Sequence, residues 1–135
     1  MRNGAPWLDE CLASLRAQSR PADELLVIDD GSVDGSQDVV SRWADRRTRV
    51  LIGPRQGLFA ALALGVNEAS HDLIARMDQD DIAHPERLAR QADLMVANAS
   101  LVACGTWSRL VSRRPFANTF EPPTDTAGVR GFMGL

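Results

Sequence analysis

The chain has 135 residues, 44% hydrophobic and 24% charged, with a formal net charge of −3, the make-up of one globular domain long enough to bury a core. No stretch reaches the roughly 18 unbroken apolar residues of a membrane-spanning helix, no basic stripe offers itself to nucleic acid, and the opening MRNGAPWLDE lacks the basic-then-apolar layout of a secretory leader. All 15 basic residues are arginine, which excludes a Walker-type phosphate lysine, a Schiff-base lysine and a lysine general base.

The first predicted element is a helix over 6–18: Pro6 suits an opening position, and Trp7, Leu8, Cys11, Leu12 and Leu15 recur at helical spacing. ELLVID, 24–29, is apolar enough to be a strand buried on both faces. Ser36 is placed to cap a helix over 37–46, with Val39, Val40 and Trp43 facing inward. RVLI, 49–52, is a short strand stopped by Gly53-Pro54. Gly57 precedes an alanine- and leucine-rich helix, about 58–69. DLIARM, 72–77, is the next strand, and Pro85 opens a helix over about 85–98. LVACGT, 101–106, is a further strand with 108–113 as its candidate partner, and no element is predicted in the Pro-, Gly- and Thr-rich stretch 115–135.

Alternating strands and helices predict an α/β fold, a mostly parallel sheet flanked by helices. Such sheets bind ligands beyond the carboxyl ends of their strands. Asp29 and Asp30 stand at one such end, and Asp78, Asp80 and Asp81 at another. Parallel strands bring both clusters to one rim. The alternation begins with a helix, yet Arg2-Asn3-Gly4 reads as a loop leaving a strand.

Asp-Gly-Ser is also ordinary turn chemistry, and DDGSVDGS alone is as well explained by turns and caps. DQDD, 78–81, is harder to explain that way, because three carboxylates within four residues repel one another unless a cation sits among them. Carboxylate oxygens are hard ligands suited to Mg²⁺ or Mn²⁺, ions that take few protein ligands and complete their shell with water and phosphate. The two cysteines, Cys11 and Cys104, are read as reduced, buried, small hydrophobes. His71 is placed at the surface, and His84, before Pro85, as a helix cap or a solvated side chain. Arg55 and Arg76 are read as solvated, and Trp7 and Trp43 as core or rim.

ELLVIDDGSVDGS, GLFAALALGVNEAS, DLIARMDQDD and HPERLARQ, in this order, resemble the inverting family 2 glycosyltransferases with their A-type glycosyltransferase fold. The resemblance runs over residues 2–106 and includes NGAPWLDECLASLRAQS, similar to the family's first helix. It implies that Asp30 accepts a hydrogen bond from the base of a nucleotide-sugar, uracil first among candidates. It implies that Asp78 lies near the ribose and the metal, that Asp80 is the main ligand of Mn²⁺ or Mg²⁺ on the donor diphosphate, and that Asn3 lies close to the nucleotide. Asp81 would orient the loop or a metal-bound water. The implied partners are a nucleotide-sugar donor and a glycan, lipid or protein acceptor, with no nucleic acid, in a cytoplasmic or membrane-peripheral setting.

The chain departs from the family's pattern at both ends. The family has a central strand before the Asn-Gly loop, so that strand is expected to be missing here and Met1 is not expected to be the natural start. The catalytic base is unassigned: after residue 106 the candidates are Glu121 and Asp125, and neither matches a family pattern. Residues 1–135 are therefore expected to form a single partial domain, with 2–106 as the donor-binding half and 107–135 as the start of an acceptor half, lacking its base. The alternatives are a non-catalytic nucleotide-binding remnant, a nucleotidyltransferase, which would want a glycine-rich basic loop after its first strand, and a Mg²⁺-binding receiver domain, which would want a lysine.

Overall fold

The computed structural model describes residues 1–106, 108–109 and the backbone of 119–120; Trp107, residues 110–118 and residues 121–135, with Glu121 and Asp125 among them, lie outside the described residues. The chain divides into two units, Met1–Ala92 and Asp93–Leu135.

In the first unit helix α1 spans Ala5–Arg16, with Pro6 in its first turn, where the missing N–H costs nothing. Strand β1, Leu25–Asp29, pairs in parallel with strand β2, Thr48–Ile52, in the register Leu25 to Thr48 and Asp29 to Ile52. Helix α2, Ser36–Trp43, connects them. A parallel pair needs such a crossover, and the β1–α2–β2 unit supplies it. Helix α3, Leu58–Glu68, follows β2, and α4, Arg87–Ala97, starts within this unit.

The core lies on one face of β1. Leu8 and Leu12 of α1 and Val39 and Val40 of α2 are buried together, with Leu15, Leu25, Val27 and Trp43 packed around them. On the opposite face Gly65 brings α3 close to Ile28; a Cβ added at Gly65 would stand 3.5 Å from Ile28 Cγ1. Helices on both faces of a parallel pair are the layered α/β arrangement that the alternation predicts.

Several expectations need correction. Residues 25–28 are half-buried rather than fully enclosed. The edge of β1 opposite β2 meets Met1, whose amino group donates to the Ile28 carbonyl and whose carbonyl accepts from the Asp30 N–H at 2.9 Å. That is the bonding pattern of a parallel neighbour, made by one residue; among the described residues no strand lies on that edge, in keeping with the expectation. Residues 72–77 form no strand: Leu73 and Ile74 are half exposed and no described strand pairs with them. Apolar patterning selects side chains for a sheet, but a strand also requires a backbone partner. Ser36 does not cap α2; Gly35, at φ 86°, occupies that position, and Ser36 is the first helical residue.

In the second unit residues 101–106 form no strand, and Ser108–Arg109 (β3) pairs antiparallel with Thr119–Phe120 (β4) instead. Among the described residues no helix is long and apolar enough to cross a membrane.

Candidate functional site

The turn after β1 separates two neighbouring carboxylates by function. Asp29 is fully buried. Its Oδ1 accepts from the Ser32 N–H at 2.9 Å and the Ser32 hydroxyl at 2.6 Å, and its Oδ2 accepts from the Gln37 amide. Burial alone would raise its pKa, but these hydrogen bonds and the nearby Met1 amino group hold it below the ordinary aspartate value. Asp29 closes the turn. Asp30 is 5% exposed, and its carboxylate receives the loop between β2 and α3: Oδ1 accepts from the Arg55 N–H at 2.6 Å and Oδ2 from the Gly57 N–H at 3.0 Å. Each oxygen keeps a second lone pair.

That loop is shaped to reach Asp30. Arg55 and Gly57 both adopt positive φ, 58° and 89°. For an arginine this is uncommon, and the charge-assisted bond to Asp30 offsets it. Gly53 lies so close that a Cβ there would stand 2.7 Å from Asp30 Oδ1 and 2.9 Å from its Cα. Only glycine fits.

Asn3 sits on the same rim, at φ 53°. Its N–H donates to the Ser32 hydroxyl at 3.1 Å, and its Oδ1 accepts from the Val33 N–H at 2.9 Å. Two further bonds extend this staple: the Gly4 N–H donates to Ser36 Oγ at 2.9 Å, and the Ala5 N–H to Asp34 Oδ2 at 3.0 Å. DDGSVDGS therefore holds its hydroxyls and Asp34 for structure and spends them on the chain between Asn3 and Ala5.

The second acidic cluster follows the segment 72–77. Asp78 is half exposed and pairs with the Arg76 guanidinium through both carboxylate oxygens. Asp80 and Asp81 are exposed, and no described residue donates to the Asp80 carboxylate. Gln79 faces the other way, clamping Arg2: the Arg2 N–H donates to Gln79 Oε1 at 2.6 Å, and Gln79 Nε2 donates to the Arg2 carbonyl at 2.9 Å. Gly4 makes room for it, since a Cβ there would meet Gln79 Cδ at 2.7 Å.

These contacts bring the two acidic clusters together. Arg2–Ala5 binds the β1 turn through Asn3 and Gly4 and binds the second cluster through Gln79. The electrostatics agree. The Met1 ammonium is pushed below its usual pKa by burial, against the opposing pull of Asp29, Asp30 and Asp78. The Cys11 thiol beneath is raised to about 11, first by burial and then by Asp81, Asp80 and Asp78.

Among the described residues no three His, Cys, Asp or Glu side chains converge as a ready cage for a metal ion. An ion that keeps most of its water and takes only one or two carboxylates needs no such cage. An uncommitted Asp80 carboxylate beside Asp78 suits that mode of binding.

The residues singled out as peripheral behave so. His71 is exposed, and His84 caps the turn into α4, its carbonyl accepting from the Arg87 N–H at 2.9 Å and its Nδ1 from the Glu86 N–H at 3.3 Å. Trp43 lies at the rim of the core, bonded to Asp9 and stacked under Arg16 at 5.6 Å, and Trp7 is half exposed. Cys11 is buried as expected, whereas Cys104 is only half-buried, and neither is in a disulfide. Sequence reasoning missed Gln79, Gly53 and the Arg55–Gly57 loop as builders of the site. The available signal was Gly53-Pro54 followed by Gly57 at the end of a strand next to an acidic turn.

The model of the glycosyl transferase family 2 matches residues 1–126, further than the resemblance over 2–106. The chain is 38% identical over 101 residues to the amylovoran biosynthesis glycosyltransferase AmsE of Erwinia amylovora, an alignment covering 73% of this chain and 38% of that protein. It is 34% identical over 105 residues to the putative glycosyltransferase EpsH of Bacillus subtilis, covering 71% and 30%. With the UDP-Gal:alpha-D-GlcNAc-diphosphoundecaprenol beta-1,3-galactosyltransferase of Escherichia coli it shares 32% over 106 residues, covering 75% and 38%. The chain thus spans well under half the length of these relatives. A match over residues 1–126 takes in both acidic clusters and every element of the first unit, and the chain belongs to glycosyl transferase family 2.

Proposed function

We propose that the rim carrying Asn3, Asp30, Asp78 and Asp80 binds the nucleotide diphosphate of a sugar donor, and that the whole protein transfers the sugar to an acceptor hydroxyl with inversion. The observation that carries this reading is the convergence of two acidic clusters on one rim, held by the Arg2–Ala5 segment. Asp30, fixed by two backbone N–H groups, is the acceptor for the N–H of a base, and uracil is the favoured one. The uridine diphosphate in the name of the E. coli relative supports that choice.

Asp80, with Asp78 beside it, would hold Mn²⁺ or Mg²⁺; when bound, the ion screens the charge of the diphosphate. Arg76 pairs with Asp78 and would have to yield it, or remain as a second cation for phosphate. In the transfer the acceptor oxygen bonds to the anomeric carbon on the face opposite the diphosphate. The carbon–oxygen bond to phosphate breaks, its electron pair leaves with the diphosphate, and a carboxylate base takes the hydroxyl proton. No residue is assigned as that base. Residues 2–106 are proposed as the donor-binding half and 107–135 as the beginning of the acceptor half, of a protein that is cytoplasmic or peripheral to a membrane. The acceptor is a hydroxyl of a glycan, lipid or protein.

Thermal unfolding with UDP, with Mn²⁺ and with both tests the reading. Ligand at 100 times its Kd adds about 2.7 kcal/mol to stability, so UDP with Mn²⁺ should raise Tm more than either alone. A chain whose stability responds neither to UDP nor to UDP with Mn²⁺ would be a non-binding remnant of the family.

A further inference from the structure

We infer that Gln18, with Ser14 and Cys11, is a positioning residue for the donor site: this face of α1 and its C-terminal extension fixes the backbone of 78–88 and so sets where Asp78 and Asp80 stand. The inference rests on the donor-site reading above. Residues 78–84 form no regular element, so their backbone groups have no ladder to satisfy them. Positions 11, 14 and 18 follow helical spacing along one face. Cys11 is 4%, Ser14 9% and Gln18 7% exposed.

The contacts run in order along both segments. Cys11 Sγ donates to the Asp78 carbonyl at 3.5 Å. Ser14 Oγ accepts from the Ala83 N–H at 3.0 Å while donating to the Cys11 carbonyl at 2.7 Å. Gln18 Nε2 donates to the His84 carbonyl at 2.8 Å and the Ser14 carbonyl at 3.1 Å, and its Oε1 accepts from the Leu88 N–H at 3.0 Å. The Ser19 N–H adds a bond to the Pro85 carbonyl at 2.8 Å.

Leu88 is in the first turn of α4, where N–H groups have no helical partner, so Gln18 caps that helix from another element. One planar amide thus ties α1, the 83–85 loop and α4 together. Only a side chain with donor and acceptor on the same group can do this. The stretch carrying Asp80 and Asp81 hangs between two fixed points, Asp78 and Ala83, and Gln79 is clamped separately to Arg2. A loop held at both ends presents its carboxylates at lower entropic cost on binding.

The test uses the full chain, UDP and Mn²⁺. Gln18→Leu removes all three bonds at similar size, Gln18→Glu keeps the acceptor for Leu88 and loses the donor to His84 and Ser14, and Leu12→Ala is a core control that destabilises without touching the loop. Amide exchange by NMR reads the anchoring, and the Mn²⁺-dependent gain in UDP affinity reads the positioning. Gln18→Leu should speed exchange of Leu88 and Asp81 about tenfold, leave Val27 and Gly53 protected, and cut the Mn²⁺-dependent gain about tenfold. Gln18→Glu should do less at Leu88, and Leu12→Ala should leave the gain intact. If Gln18→Leu does not fold, Gln18→Glu supplies the exchange reading at Asp81 and the reading of the Mn²⁺-dependent gain.

Unchanged exchange at Leu88 and Asp81 overturns the inference, as does faster exchange with an unchanged gain. A wild-type chain with no Mn²⁺-dependent gain refutes the donor-site reading and, with it, the positioning role; the exchange data then report separately whether the anchoring is real.

Discussion

Asp29 and Asp30 are neighbours in the chain and both buried, yet only one faces the rim. Asp29 is consumed by Ser32 and Gln37, whereas Asp30 receives two backbone N–H groups and keeps acceptor capacity. The closest constraint on Asp30 is Gly53. Gly53→Ala would place a methyl at 2.7 Å from Asp30 Oδ1 and should cost about 1–3 kcal/mol of stability by overpacking. It should also weaken UDP binding, and a melt together with a UDP titration checks both; an unchanged melt would show that the loop gives way. A second prediction concerns acid. The Asp45 carboxyl is lowered to about 2, first by the Arg47 backbone N–H and then by the Arg47 guanidinium. A folded pKa below the unfolded one contributes stability above about pH 4 that is lost as pH falls through about 2. Asp45→Asn should therefore be less stable than wild type at neutral pH, and the gap should close in that acid window. Urea melts across the range test this, and a gap independent of pH would refute it. Much of this detail was hidden from the sequence, because DDGSVDGS reads alike whether its carboxylates face a ligand or their own turn. Two of its aspartates, Asp29 and Asp34, prove to be structural.

At the scale of elements, helices α1, α2 and α3 and strands β1 and β2 fall within a few residues of the periodicity's reading: α1, α2 and β1 pack apolar side chains into one core, and β2 is held by its pairing with β1. Residues 72–77 carry the same kind of apolar run and form no strand, and 101–106 likewise. Side-chain pattern is local, whereas strand pairing depends on a neighbour that the pattern does not reveal. Ser36 shows the same limit: a serine at a helix start reads as a cap, but its hydroxyl bonds Gly4 and Asp34, and glycine takes the cap position. This joint between the β1 turn and the start of α1 should matter for stability. Ser36→Ala would leave the buried Gly4 N–H without a partner and should cost about 1–3 kcal/mol. Chemical denaturation measures it, and a loss below the error of the melt would mean that water replaces the hydroxyl.

Across the whole molecule, the sequence puts both acidic clusters on one rim by expecting parallel strands before each, but only the first cluster follows a strand, and residues 72–77 form none. It did not reveal the means by which the second cluster is held there without a strand of its own. The structure supplies that means: the Gln79 clamp on Arg2, and the Cys11, Ser14 and Gln18 contacts from α1. The proposal that this rim is a metal-assisted donor site makes Asp80 its most exposed dependency, because Asp80 is the proposed main ligand and its carboxylate has no structural task among the described residues. Replacing it should leave the fold intact and change only the ligand chemistry. Titration calorimetry of UDP, with and without Mn²⁺, on the wild-type chain and on Asp80→Asn is the most direct test. Mn²⁺ should tighten UDP binding to the wild type by about tenfold or more, and Asp80→Asn should lose that gain while unfolding at the same temperature. UDP binding that ignores Mn²⁺, or a gain that survives in Asp80→Asn, would contradict the account.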